Sequence, residues 1–77
     1  MTKTKTSKAW DRFFQLNDES AALLDAIVRL TFAICDATDP VVARALGREL
    51  VRVRESLDTA RKARDAAFAA ATASSVR

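Results

Sequence analysis

The sequence predicts an all-α protein: an antiparallel hairpin of two helices that dimerises into a four-helix bundle. Three observations carry the prediction. Apolar residues recur at alternating steps of three and four through both halves of the chain. One punctuation mark, "DATDPVV", separates the halves. Finally, β structure has little to build on, because the chain holds one Gly, one Pro, no Tyr and an alanine-rich C-terminal half.

The first helix is expected over roughly 8–37. Phe13, Leu16, Ser20, Leu23, Ile27, Leu30, Ile34 and Ala37 form a seam of the a/d kind, apolar at every position but Ser20. A second stripe of Phe14, Ala21, Leu24, Val28 and Cys35 lies beside it. Together they make a face wider than a two-stranded seam needs and suited to a bundle interior. The stretch "QLNDES" offers a break, since Asn17 or Asp18 has the chemistry of a helix cap. The unbroken seam from Phe13 to Leu23 favours a continuous or kinked helix there.

The hinge follows from local chemistry. Asp39 suits the N-cap of a second helix, and Pro40 suits its first position, where a missing N–H costs nothing. The residue before a proline resists the helical conformation, so the first helix ends near Ala37. The second helix is expected over 40–72. Its seam is Ala43, Leu46, Leu50, Val53, Leu57, Ala60, Arg64, Ala67 and Ala71, with Arg64 as the violation. So short a connection makes the helices antiparallel neighbours, and it sets Phe68 beside the Trp10–Phe14 cluster. Residues 1–7 read as a disordered basic tail and 73–77 as a flexible one.

A chain of 77 residues buries a small fraction of its surface and gains stability from a disulfide, a metal or a partner chain. Cys35 is the single cysteine and there is no histidine, which excludes an internal bridge and a Cys/His zinc site. A homodimer is therefore expected. Its core would draw on Leu23, Ile27, Leu30, Ile34, Leu46, Leu50, Val53 and Leu57.

Charge points the same way. The net charge is +3, but Lys3, Lys5 and Lys8 lie in the opening "MTKTKTSK", and the remaining body is neutral. Residues 9–39 set Arg12 and Arg29 against six carboxylates, a net charge of −4, and residues 40–77 carry +4. An acidic half followed by a basic half guides register and partner choice more than it adds stability.

Two clusters suggest contacts with other molecules. Trp10, Phe13 and Phe14 in "WDRFF" have the spacing of a helix that anchors in a partner's groove, and equally of a cap on the bundle core against Phe68. Arg44, Arg48 and Arg52 form a row at four-residue steps, suited to phosphates or to an acidic protein partner. The preferred reading is an exposed face laced with ion pairs, because Glu49 and Glu55 sit among the arginines. Arg52–Glu55, Arg54–Asp58, Asp58–Lys62 and Arg61–Asp65 all have pairing distances along a helix. Among apolar neighbours, Cys35 reads as a buried structural thiol. Asp36 and Asp39 are too few for calcium and read as capping residues. Gly47 inside a helix suggests close approach by another backbone or an aromatic ring.

No catalytic constellation appears, so no enzymatic activity and no cofactor are expected. No apolar run reaches the ~18–20 residues of a membrane span, and no signal core follows the N-terminus, so the expected location is the cytoplasm. The Ala/Arg-rich usage suggests a bacterial source. In size and helicity the chain looks like the small antiactivators that block bacterial transcription factors, a resemblance of shape that no motif carries. It implies a regulatory adaptor or inhibitor that occupies a protein partner. The rival readings are a nucleic-acid-binding module and a structural coiled-coil segment. The former resembles in outline the helical-hairpin dimer that binds paired RNA loops in plasmid copy-number control.

Overall fold

A computed structural model describes the backbone of residues 5–75 and the side chains of residues 8–73. Two helices, α1 (Lys5–Asp36) and α2 (Pro40–Ser75), fold back on each other as an antiparallel hairpin. The result is a rod of 58 × 16 × 13 Å. α1 starts three residues earlier than the periodicity predicts, because nothing in Lys5–Ser7 interrupts a helix. For the same reason α2 continues past residue 72 to Ser75. Of the expected tails, residues 1–4 and 76–77 lie outside the described residues.

α1 runs without a break through Asn17 and Asp18. The polar seam residue three positions on helps explain why. Ser20 is buried, and its Oγ donates to the Leu16 carbonyl oxygen at 2.9 Å, one turn back in the same helix. The hydroxyl is thus satisfied inside the seam and leaves the apolar phase intact.

The hinge is built as its residue types demand. The Val41 amide donates to Asp39 Oδ1 at 2.9 Å, and the Ala43 amide donates to the Asp39 carbonyl oxygen at 3.0 Å. These are the side-chain cap and the first backbone bond of α2, with Pro40 at the position that donates nothing. On the other side, the Ala37 amide reaches the Ile34 carbonyl oxygen at 3.2 Å and closes α1 with a tightened last turn.

Leu16, Leu57, Ala60 and Ala71 form the buried apolar core of the described residues. Leu23, Ile27, Leu30, Ile34, Leu46, Leu50 and Val53 line the same seam half-buried. Two helices enclose one narrow stripe, so side chains at its edges keep partial contact with water. The second stripe stays open. Phe14 is 56% exposed, Leu24 46% and Val28 46%, and Ala21 and Cys35 are exposed as well. The expectation of a buried thiol is therefore corrected. Cys35 stands seven residues beyond Val28, on the open stripe, and its apolar sequence neighbours do not surround it in space.

Candidate partner-binding surface

At the open end of the hairpin four aromatic rings meet. Trp10 lies 5.7 Å from Phe13 edge-to-face, 6.0 Å from Phe14, and 5.9 Å from Phe68 edge-to-face, measured between centroids. Phe13 stands 5.3 Å from Phe14 and 5.5 Å from Phe68. All five spacings fall in the range where ring quadrupoles attract. The cluster forms because positions 10, 13 and 14 share one side of α1 and the antiparallel return brings the end of α2 alongside. Its members divide by exposure. Trp10 and Phe13 are half-buried, while Phe14 and Phe68 are about half open to water.

The rod has two unlike broad sides. On one, Leu24 lines a groove with Arg54, Leu57, Asp58 and Arg61, and a second groove runs along Asn17, Ala21, Leu24, Arg61 and Arg64. Phe14, Val28 and Cys35 stand at seven-residue steps from Ala21 and share that side, as does Val51, which lines a hollow with Arg54 and Asp58. The opposite side is polar at its rim and apolar at its floor. One groove there is lined by Arg12, Glu19, Leu23, Arg52 and Thr59, and another by Ala26, Arg29, Leu30, Glu49 and Val53. Two ion pairs stand along it, Arg29–Asp25 at 2.9 Å and Arg52–Glu49 at 3.2 Å.

Arg44, Arg48 and Arg52 are all exposed, but they do not form a straight ladder. Four residues exceed one helical turn by about 40°, so the row winds from the apolar side at Arg44 to the polar side at Arg52. The ion pairing also differs from the sequence expectation. Asp58–Lys62 forms at 3.4 Å, but Arg52 turns back to Glu49 instead of forward to Glu55. Asp65 is held by its neighbour Arg64 at 3.3 Å instead of by Arg61. Arg44, Arg48, Arg54 and Arg61 make no ion pair among the described residues. Most of these pairs are strongly solvated, which keeps each contribution small and leaves the choice of partner to local geometry.

The remaining candidates resolve simply. Asp39 serves as the cap, and Asp36 ends α1. Gly47 has nothing within 4 Å of where a Cβ would stand, so no group of the hairpin occupies the space it leaves. No group of three or more metal-binding side chains occurs among the described residues, and no helix is long and apolar enough to cross a membrane. The stripe is legible in the sequence from its spacing beside the seam, and in the single hairpin its members Phe14, Leu24, Val28 and Cys35 are exposed. The chain matches no protein family, no curated protein and no solved structure.

Proposed function

We propose that this chain is a non-enzymatic protein–protein interaction module, a small bacterial regulatory protein that works as a homodimer. Its role is that of an adaptor, or of an inhibitor that sequesters a regulator such as a transcription factor. One observation carries the reading. Phe14, Leu24, Val28, Phe32, Val41, Val42, Val51 and Phe68 are all large, apolar and between 46% and 68% exposed. So much open apolar surface on so small a rod marks a contact surface. The half-open aromatic cluster supplies the anchor, since exposed Phe on a rigid helix loses little freedom on binding.

The test is affinity capture from the native host, with and without nuclease, followed by binding measurements with the purified partner. A nuclease-resistant regulator whose affinity drops at least tenfold on Phe14→Ala supports the reading. Capture that vanishes with nuclease overturns it.

A second reading has one observation in its favour: Arg44 and Arg48 are exposed and free of ion pairs among the described residues. As a nucleic-acid module, the chain would bind RNA or DNA with an affinity that falls steeply with salt and depends on these residues and Arg52. Glu49, Glu55 and Asp58 interleaved with them weigh against it, because a phosphate-binding face is usually basic throughout.

A further inference from the structure

The two broad sides of the rod differ in a way that selects both the dimer face and its symmetry; the argument rests on the homodimer reading above. The side with Phe14, Leu24, Val28, Cys35 and Val51 is apolar, and its α2 edge carries Arg54 and Arg61 with Asp58 between them. A face 58 Å long and 16 Å wide is large enough for the ~800 Å² per partner that a standard interface buries. The polar side also has an apolar floor, but Leu23, Leu30 and Val53 there are half-buried, and exposed ion pairs rim it.

Two ways of stacking these sides are consistent with a closed pair. With the two-fold axis across the helices, α1 lies on α1 and α2 on α2. Arg54 and Arg61 stand equally far from the midpoint of α2 (Pro40–Ser75), so at full overlap Arg54 of each copy faces Arg61 of the other. Four guanidinium groups would then crowd about the two Asp58 carboxylates between them, a contact of net positive charge that disfavours the assembly.

With the axis along the helices, each α1 lies on the other copy's α2 and every residue keeps its level. Leu24 already shares a level with Arg54 and Arg61 in its own hairpin. The second copy's Leu24 therefore enters between those arginines, against their aliphatic stems. Their charged ends reach the outer edge of that α1. Asp18 stands there one turn before Ala21, and Asp25, which pairs with Arg29 in its own chain, one turn after it, in the segment whose net charge is negative.

We propose that a second copy docks on the Leu24 side with its two-fold axis along the helices, so that acidic α1 covers basic α2 and both hinges lie at one end. The arrangement has a functional consequence. Phe14 and Phe68 of both copies converge at the other end, forming one composite aromatic patch that a single chain lacks.

The experiment uses the full chain carrying Cys35→Ser and Thr38→Cys, with a nitroxide on the new thiol in the hinge, and measures label-to-label distance alongside sedimentation. Same-end hinges give a distance below about 30 Å. Hinges at opposite ends of a 58 Å rod give roughly 50 Å, which overturns the arrangement while leaving the homodimer intact. A monomer at high concentration overturns both, and leaves the apolar side to another protein. A second pair of variants tests the face itself. Leu24→Glu, at an exposed position, raises the dimer dissociation constant at least tenfold, and Ala22→Glu on the polar side does not. Equal effects from the two variants would overturn the choice of side.

Discussion

Phe13 and Phe68 stand with ring centroids 5.5 Å apart, and the contact ties the early turns of α1 to the late turns of α2. Around them α2 offers mostly alanine, whose burial contributes little per residue. The aromatic cluster is thus the main apolar fastening at the open end of the hairpin. The Asp39 cap fixes the other end.

This division of labour predicts different outcomes for two adjacent residues. Phe13→Ala removes a half-buried ring from the seam. It should destabilise the fold by about 2–3 kcal/mol, below the 3–5 kcal/mol typical of a fully buried Phe. Phe14→Ala removes a ring that is 56% exposed and should cost less than about 1 kcal/mol while weakening partner binding. Thermal unfolding followed by circular dichroism at matched protein concentration separates the two, because dimerisation makes the midpoint concentration-dependent. Equal destabilisation would assign both rings to the core.

Most of the fold was legible because seam residues announce themselves by spacing alone. Each seam position from Phe13 to Ala37 and from Ala43 to Ala71 is buried or half-buried, including the two polar ones, Ser20 and Arg64. Asp39 and Pro40 were equally readable, since a cap is a local event decided by two or three residues. Two features were not legible. The exposure of Cys35 depends on how much surface one hairpin can cover, a tertiary quantity that its apolar sequence neighbours misreport. The choice of ion-pair partner among Arg52, Glu49 and Glu55 turns on small differences between solvated geometries, below what spacing rules resolve. The candidate surface is the remainder left after the seam is subtracted, so it becomes visible once the seam is seen to be narrow.

Ser20 tests whether the seam tolerates its polar residue or depends on it. Its hydroxyl donates back into its own helix, a bond that slightly weakens helices, and serine is a poorer helix former than alanine. Ser20→Ala leaves no orphaned partner, because the Leu16 carbonyl also lies within reach of the Ser20 amide in the helix. The variant should gain about 0.5–1 kcal/mol, a rise of several degrees in Tm for a domain of this size. A fall in Tm would mean that the hydroxyl sets the packing of the two helices.

The hinge makes a prediction of opposite sign. Asp39→Ala removes the acceptor of the Val41 amide and should cost about 1 kcal/mol, whereas Asp39→Asn keeps an acceptor and should cost little. Denaturant titration of the two variants checks it through their midpoints. Equal losses would show that the charge of Asp39, and not its hydrogen bond, holds the start of α2.

Gly47 distinguishes the isolated hairpin from the assembled protein. Inside α2, glycine is less favourable than alanine by about 1 kcal/mol, and no atom of the hairpin outside its own local helix lies within 4 Å of the missing Cβ. Gly47→Ala should therefore raise Tm if only the hairpin matters, since the added methyl meets open space and reduces the freedom of the unfolded chain. The residue stands seven positions before Arg54, on the side proposed to receive a second copy. If another backbone packs closely there, the methyl will weaken dimerisation while still strengthening the helix. Measuring unfolding at high and low protein concentration resolves the two effects. A gain at low concentration that shrinks or reverses at high concentration places Gly47 in the interface, and a gain independent of concentration places it outside.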